Sequence, residues 1–362
     1  MIRPVAHIGA MAPYALVRMV APPGKRLISL AQNESLHPPS PMSIAAAEAA
    51  ARNQTYPDPD WAALRGAIAE VQGLAPDMIL CGAGSLDLIA AIARVYSGPG
   101  RAVLIPKHAY PFFRSAAQMS GARVDTAHER DGCVCVDALL DAIRPDTSIL
   151  FLANPANPTG THIPAAEIRR LHAALRDDIL LVIDEAYGEY TDANEPSLFD
   201  LATAPNTVIL RTFSKAYSLA SARVGWGIFP PKIAAEIRKV LNPNNVAATS
   251  QAAAEAAIQD QRYMRQTVTE TSALSRKTQS RLRRANVPVL ESATNFLLLP
   301  FCDVATADQI HANLVAEGIF LRPQHGAGLP HALRMTLGRP DHVALATERI
   351  IALHQRAIEG TA

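Results

Sequence analysis

A short apolar segment, a polar loop and an amphipathic helix follow one another repeatedly between residues 78 and 229, and this repeat constrains the fold more than any other feature. Several of the apolar segments show no alternation with polar residues, which is typical of strands covered by helices on both faces. The pattern predicts an α/β fold with a mostly parallel sheet, whose ligands bind at the carboxyl ends of the strands. Strands are predicted at residues 78–81, 102–105, 123–126, 148–153, 179–183, 207–210 and 224–229.

The segments on either side of this repeat indicate a division into three parts. Residues 1–42 contain many prolines and little periodicity, and are predicted to form an N-terminal arm that joins a smaller domain. Residues 43–260 are predicted to form a large domain, and residues 261–362 a small α+β domain. Helices are predicted at 43–52 with Ser43 as N-cap, at 61–72 with Asp60 as cap, and at 86–96, 232–241, 250–259, 263–285, 307–317 and 341–357, with further strands near 295–299, 319–322 and 332–337.

Charge and cysteine usage exclude several classes of function. The chain has 34 basic and 33 acidic residues, so no global field favours nucleic acid or a membrane surface, and small molecules are the expected partners. The four cysteines lack the spacing of a zinc site and are expected to be reduced thiols, with no metal bound. The first 20 residues are interrupted by proline and glycine and suit neither a signal peptide nor a membrane helix, which predicts a cytoplasmic protein.

Polar residues follow the predicted strand at 207–210. They include Thr212, Ser214, Lys215 and, eight residues after the lysine, Arg223. A lysine here is either a solvated surface cation or an amine held in a low-dielectric cleft, where its pKa falls and it becomes a nucleophile. Taken alone, the surface cation is the simpler interpretation.

A glycine-rich loop follows the strand at 78–81 and precedes a predicted helix. Gly84 and Ser85 lie where free backbone amides and a helix N-terminus could hold a phosphate. A dinucleotide-binding fingerprint is the alternative, but Asp87 occupies the position of its third glycine and no acidic residue ends the next strand. A tight turn without a ligand is the other alternative.

Three further strand ends carry groups suited to a flat, charged ring. Tyr110 follows the strand at 102–105 and could stack on such a ring, although a core position is also open to it. The loop at 154–160 contains two Asn-Pro steps, which restrict the backbone and can aim the amide of Asn157. Asp184 ends a buried strand and needs a cation, either a protonated pyridine nitrogen or a structural partner; Tyr187 follows it.

Taken together, these residues describe a pyridoxal phosphate site. Lys215 would form the imine, Asp184 would keep the ring nitrogen protonated, and Asn157 with Tyr187 would bond the phenolic oxygen. The phosphate would be held by Gly84, Ser85, Thr212, Ser214 and Arg223.

The chain resembles the fold type I pyridoxal phosphate aminotransferases, and among them the histidinol-phosphate aminotransferase group, over nearly its whole length. The resemblance rests on an ordered set of motifs: Pro13-Tyr14, Asn33-Glu34, Tyr56-Pro57-Asp58-Pro59, residues 154–160, Asp184-Glu185-Ala186-Tyr187, Ser214-Lys215-Ala216 with Arg223, Asn295-Phe296 and residues 328–334. It implies a large domain with a mostly parallel sheet flanked by helices and a smaller α+β domain.

The resemblance also implies roles for individual residues. Lys215 matches the Schiff-base lysine, and Tyr110 matches a residue stacked on the ring. Tyr56 matches a tyrosine that reaches the cofactor phosphate of a partner subunit, which implies a homodimer. The substrate's anionic group would bind Arg334, with Arg322, Tyr14 and Asn33 as further candidates.

The chain departs from the usual pattern at three places that concern the substrate. Residues 33–39 differ from the usual Asn-Glu-Asn-Pro segment, Ser221-Ala222 replaces Gly-Leu, and Ala327 replaces a tyrosine. The expected activity is transfer of an amino group from an amino acid or a histidinol-phosphate-like amine to a 2-oxo acid. A decarboxylase of the threonine-phosphate type and a non-catalytic binding protein on the same scaffold are the alternatives.

Overall fold

The fold centres on a seven-stranded sheet that is mostly parallel. The structure, a computed structural model, describes residues 2–13, 19–51, 54–191 and 195–359. Its strands are β1 Ile28–Ser29, β2 Ile79–Gly82, β3 Ala102–Pro106, β4 Arg123–Ala127, β5 Glu129–Arg130, β6 Cys133–Val134, β7 Thr147–Ala153, β8 Leu180–Asp184, β9 Thr207–Thr212, β10 Gly225–Ile228, β11 Phe296–Pro300, β12 Ile319–Phe320, β13 Arg322–Gln324 and β14 Leu329–Thr336. The large sheet has the order β2-β10-β9-β8-β7-β3-β4, and only β10 runs antiparallel to its neighbours.

Helices surround this sheet and continue beyond it toward the C-terminus. They are α1 Ala6–Gly9, α2 Pro41–Ala49, α3 Ala62–Gln72, α4 Ser85–Tyr96, α5 Pro111–Met119, α6 Val136–Asp141, α7 Ala165–Ala174, α8 Pro231–Arg238, α9 Ala248–Gln259, α10 Gln261–Arg284, α11 Val304–Ala316 and α12 Pro340–Glu359. Short 3₁₀ turns occur at Pro76–Met78, Gly188–Tyr190, Phe199–Thr203 and His325–Ala327. The predicted fold class, a mostly parallel sheet flanked by helices, is confirmed.

The central strands are buried along their whole length, which explains why their apolar runs located them so well. Every residue of β3, β7 and β8 is buried. Each large-sheet strand predicted from the sequence lies within two residues of its position in the structure. Burial on both faces removes the alternation that a half-exposed strand would show.

Two predicted helix caps were wrong. Helix α2 begins two residues early because Ser40, not Ser43, is its N-cap and accepts a hydrogen bond from the Ser43 backbone amide at 3.2 Å. The Ser43 hydroxyl instead donates to the carbonyl of Ala253 on α9. At α3 the carboxylate of Asp58, not Asp60, accepts from the Ala62 amide at 2.7 Å. In each case a nearby residue of the same capping type reaches the free amides first.

Two separate hydrophobic clusters support the sheet and the C-terminal region. The first packs around the large sheet and includes the fully buried Phe113 and Phe151, whose rings stack at 4.9 Å. The second lies around the antiparallel sheet β11-β14-β13 and its helices. Helix α10 packs Met264 on the first cluster and Leu282 on the second. The domain boundaries at residues 42 and 260 stay a prediction.

The segment before residue 42 contributes a strand to the C-terminal part of the chain. Ile28 pairs with Ile319 and Ser29 with Phe320, in parallel, between β1 and β12. This pairing places the start of the following segment, residues 30–40, against the C-terminal part of the chain. In the described part of the chain, the cysteines are unpaired and no helix is both long and apolar enough to span a membrane.

Candidate active site

A cavity of about 500 Å³ opens at the carboxyl ends of the central strands. Its walls come from the large sheet, from residues 31–34 and from the strands β13 and β14. Twelve of the residues predicted for the site line it: Asn33, Ser85, Tyr110, Asn157, Asp184, Tyr187, Thr212, Ser214, Lys215, Arg223, Arg322 and Arg334. Residues from strands, loops and one helix start, from Asn33 to Arg334 in the sequence, therefore meet in one place.

Lys215 lies just beyond strand β9, with its amine turned toward residues 31–34. Its Nζ donates to the backbone carbonyl of Asn33 at 3.0 Å. Burial, followed by the nearby Arg334 and Arg223 guanidinium groups, lowers the pKa of Lys215 to about 7. An amine with this pKa is neutral in a large fraction of molecules near pH 7, which is the form that attacks a carbonyl or accepts a proton.

Asp184 ends strand β8 and is 4% exposed. Desolvation raises the pKa of its carboxyl to about 7, and the backbone amide of Ala186, donating to Oδ1 at 3.1 Å, opposes that rise. Because a buried carboxylate is stable only beside a cation, the side chain suits a ligand that carries a protonated ring nitrogen.

Asn157 and Arg334 line the cavity and are joined by a hydrogen bond. Arg334 Nη1 donates to Asn157 Oδ1 at 2.7 Å, and Nη2 donates to the Ala31 carbonyl at 2.9 Å. The guanidinium lies 5.2 Å from the centre of the Phe296 ring. The planar group is therefore held by two bonds and one aromatic face, which gives it a defined orientation for an anionic ligand.

The loop before helix α4 and the residues after strand β9 form a cluster of donors. Gly84 has φ of +84°, and a Cβ there would lie 2.4 Å from Arg223 Nη2. A side chain here would be strained by the positive φ and would require the guanidinium to move; this guanidinium also donates to the Ser214 hydroxyl at 3.3 Å. Thr212 and Ser214 are linked through their hydroxyls at 3.0 Å. With the free amides of α4 beginning at Ser85, these groups can hold a phosphate.

Asp87 was weighed only as a defect in a dinucleotide fingerprint, but it has a structural role in this loop. Its Oδ2 accepts from the Ala83 backbone amide at 3.0 Å and from Asn245 Nδ2 at 2.8 Å. The Asp87 carboxylate, in the first turn of α4, therefore fixes the position of the glycine-rich loop. An acidic residue in the first turn of a helix was a signal for this role, whereas the distant Asn245 gave none.

Residues 33–38, of which Asn33 and Glu34 line the cavity, contact several elements. Ser218 donates to the Ser35 hydroxyl at 2.7 Å, and Asn295 Nδ2 donates to the carbonyls of Asn33 and Glu34. His37 Nε2 lies 2.8 Å from Glu270 on α10. The segment that departs from the usual family sequence is thus held at both ends.

Some predicted residues lie elsewhere, and some lining residues were missed. Tyr56 is 89% exposed and does not line the cavity, and Tyr14 lies outside the described residues. Gln32, Glu34 and Gln324 line the cavity without having been assigned a role. Gln324 ends strand β13 beside the predicted Arg322, so its position in the strand was the one available signal.

The donor set fits pyridoxal phosphate. Among the described residues the buried Asp184 carboxyl forms no ion pair, although the charge of Lys215 opposes the rise of its pKa, and the buried Lys215 amine suits an aldehyde. Gly84 leaves a space for Arg223 that any side chain would close, beside the hydroxyls of Thr212 and Ser214. A ring nitrogen, an aldehyde and a phosphate are the three groups that this arrangement accepts.

Comparisons with known proteins agree with this chemistry. The sequence profile of the family Aminotransferase class I and II matches residues 25–350. Histidinol-phosphate aminotransferase of Rhodopseudomonas palustris strain TIE-1 is 38% identical over 358 residues, which cover 97% of this chain and 98% of that protein. The protein of the same name from Ruegeria sp. strain TM1040 is 40% identical over 310 residues, covering 85% of this chain and 86% of that protein.

Solved structures show the same architecture. The crystal structure of histidinol-phosphate aminotransferase from Sinorhizobium meliloti in complex with pyridoxal-5'-phosphate has a TM-score of 0.90 at 27% identity and covers 98% of both chains. A Thermus thermophilus aspartate aminotransferase, at 19% identity and a TM-score of 0.85, shares the fold. The chain therefore belongs to the class I and II aminotransferases, and it is a pyridoxal phosphate-dependent aminotransferase that acts on amino and oxo acid substrates.

Proposed function

We propose that the amino donor of this enzyme is histidinol phosphate or a close phosphorylated analogue, and that the acceptor is a 2-oxo acid. The observation that carries the proposal is the pair of arginines in the cavity. Arg322 and Arg334 are opposite each other on strands β13 and β14, and both line the cavity that contains Lys215. Two relatives that cover 97% and 85% of this chain are named for this substrate.

Two guanidinium groups match a phosphate better than a single carboxylate. A phosphate carries nearly two negative charges at neutral pH and several acceptor oxygens, so it can bond two arginines at once. Arg334 already has its plane fixed by Asn157 and the Ala31 carbonyl. The cavity volume of about 500 Å³ is in the range that accommodates a cofactor together with a small substrate.

The residues at the strand ends would each have a separate role in catalysis. Pyridoxal phosphate supplies an electron sink that stabilises negative charge at the substrate's α-carbon. Lys215 Nζ would accept the α-proton and return it at the neighbouring carbon, since its pKa of about 7 allows both states. Asp184 would hold a proton on the ring nitrogen, and Asn157 and Tyr187 would bond the ring oxygen. Tyr110, supported edge-on by Phe113 at 5.7 Å, would cover the ring face.

Gly84, Ser85, Thr212, Ser214 and Arg223 would hold the cofactor phosphate. Their hydroxyls and guanidinium already bond one another, so little reordering is needed when an anion binds. Fixing the phosphate keeps the ring in position while Lys215 changes its bonding partners.

A homodimer is part of the proposal. Tyr56 is 89% exposed, an unusual state for a large aromatic residue, and its hydroxyl would reach the cofactor phosphate of a second copy. Met42 and Ile44 on helix α2 are also exposed apolar residues. Light scattering after size-exclusion chromatography should give twice the mass of the 38.7 kDa chain. Tyr56→Phe should weaken cofactor retention without separating the subunits. A cytoplasmic location stays a prediction.

The substrate proposal is tested with the purified protein loaded with pyridoxal phosphate and no acceptor. Histidinol phosphate should abolish the visible absorbance band of the bound cofactor, and histidinol, which lacks the phosphate, should do so with a second-order rate constant lower by at least about 100-fold. L-Phenylalanine tests an amino acid donor that has no phosphate, and threonine phosphate with measurement of carbon dioxide tests the decarboxylase alternative. Equal rates with histidinol and histidinol phosphate would refute the assignment.

A further inference from the structure

Asn33 connects more parts of the active site than any single role in substrate binding requires. It is 2% exposed, with φ of +55°, a region that asparagine tolerates better than most residues. Its backbone amide donates to the Thr336 hydroxyl at 2.9 Å, and its backbone carbonyl accepts from Lys215 Nζ and from Asn295 Nδ2, both at 3.0 Å. Its side chain bonds Tyr187.

The hydrogen-bond directions in this network follow from Thr336. Because the Thr336 hydroxyl oxygen accepts from the Asn33 backbone amide, its own proton is donated to Asn33 Oδ1, at 3.3 Å. The side-chain oxygen of Asn33 is thereby identified as the acceptor, so the NH₂ group faces Tyr187. Asn33 Nδ2 lies 2.8 Å from the Tyr187 hydroxyl oxygen. An NH₂ group can only donate, so Tyr187 accepts this bond.

This direction has a consequence for the reacting centre. A phenol that accepts from Asn33 can donate its own proton to a second acceptor, and Tyr187 lines the cavity beside Lys215. Its ring is held by Phe296, edge-on at 5.3 Å. We propose that Asn33 is a positioning residue that directs the Tyr187 hydroxyl proton toward the ring oxygen of the cofactor, and that it is not the direct substrate ligand predicted from the sequence. This inference rests on the proposed function, since it requires Tyr187 to face that oxygen.

The test is a pH titration of the visible absorbance band of the cofactor-loaded protein without substrate. A donor on the ring oxygen competes with the proton held between this oxygen and the Lys215 nitrogen, so loss of the donor raises the midpoint. Asn33→Gly keeps the positive φ and the backbone carbonyl but removes the amide. Asn33→Asp replaces the donor with an acceptor that draws the Tyr187 proton toward itself. The midpoint is expected to rise from wild type to N33G and again to N33D. The N33D midpoint should lie about one pH unit above that of wild type, which is a tenfold change in proton affinity.

A double-mutant cycle with Tyr187→Phe separates this role from a general effect of charge or folding. The N33D shift should fall by at least half in the Y187F background, because no hydroxyl proton remains to be redirected. Thr347→Val serves as a control, since Thr347 is a buried hydroxyl that bonds Val343 on α12, away from the site. It should lower the melting temperature without moving the midpoint.

Each outcome decides between specific alternatives. Unchanged midpoints in N33G and N33D, or equal shifts with and without the Tyr187 hydroxyl, overturn the positioning role and leave the proposed function intact. A rise in KM for the donor with an unchanged midpoint identifies Asn33 as a substrate ligand and also overturns the inference. A wild-type protein that forms no visible band with pyridoxal phosphate overturns both.

Discussion

Replacing Asp184 with asparagine should make the cofactor-free protein more stable at alkaline pH while it weakens cofactor binding. The carboxyl has a folded-state pKa raised from 3.8 to about 7, mainly by desolvation. A raised carboxyl pKa destabilises the folded state once the unfolded chain ionises, so the penalty begins above pH 3.8 and is complete above pH 7. Asparagine has the same shape and its Oδ1 can still accept from the Ala186 amide.

The size of the effect follows from the pKa. A pKa raised from 3.8 to about 7 gives an upper limit of about 4 kcal/mol at pH 8, and about 2 kcal/mol at pH 5. Water entering the open cavity screens the charge, so we expect a measured gain of about half these values. Cofactor affinity should change in the opposite direction, because a neutral amide no longer stabilises a protonated ring nitrogen.

The assay is urea unfolding of cofactor-free wild type and Asp184→Asn at pH 5 and pH 8, with cofactor affinity measured by fluorescence quenching. Asp178→Asn is the matched control. Asp178 is exposed and paired with Arg176 at 2.9 Å, and its pKa is lowered, so this change should give no gain at either pH. An Asp184→Asn protein that is less stable than wild type at pH 8, or a gain that does not grow between pH 5 and pH 8, would refute the reasoning.

Three further changes test other parts of the site. Lys215→Met should abolish turnover and also stabilise the cofactor-free protein near pH 7. Because the lysine pKa is depressed from 10.5 to about 7, this gain in stability should shrink as the pH rises from 7 to 10.5. Urea unfolding at several pH values would measure it. Gly225→Ala places a Cβ 2.1 Å from the Ser85 backbone nitrogen, so it should displace the start of α4, cost about 1–3 kcal/mol and weaken cofactor binding at least tenfold, measured by thermal unfolding and equilibrium dialysis. Arg334→Lys should raise KM for the phosphorylated donor about 10- to 100-fold with a smaller change in kcat, because lysine cannot bond both Asn157 and the donor with one planar group. An unchanged KM in steady-state kinetics would show that the anionic group of the donor binds elsewhere.

The sequence predicted the strands of the large sheet well because their environment is simple. Strands β7 and β8 are buried on both faces, so each appears as an uninterrupted apolar run that ends at a polar loop. The same rule placed Asp184 and Lys215 at one edge of the sheet, since the carboxyl ends of parallel strands meet there.

What could not be predicted depends on contacts between distant segments. Ser40 rather than Ser43 caps α2, and the Ser43 hydroxyl instead bonds Ala253, more than two hundred residues away, which no local pattern indicates. The network around Asn33 likewise requires Thr336, which no local pattern connects to it. Spacing along the chain identifies residue types suited to a reaction, whereas the direction of each hydrogen bond needs the folded structure.

Helix α10 contacts both hydrophobic clusters. Its 24 residues form a rod roughly 36 Å long, with Met264 in one cluster and Leu282 in the other. Tilting such a rod by about 5° would displace its far end by about 3 Å, comparable to the length of one hydrogen bond. Because α10 contacts both clusters, a change in its tilt would change the distance from the C-terminal strands, which carry Arg334 and Thr336, to Lys215 on the large sheet.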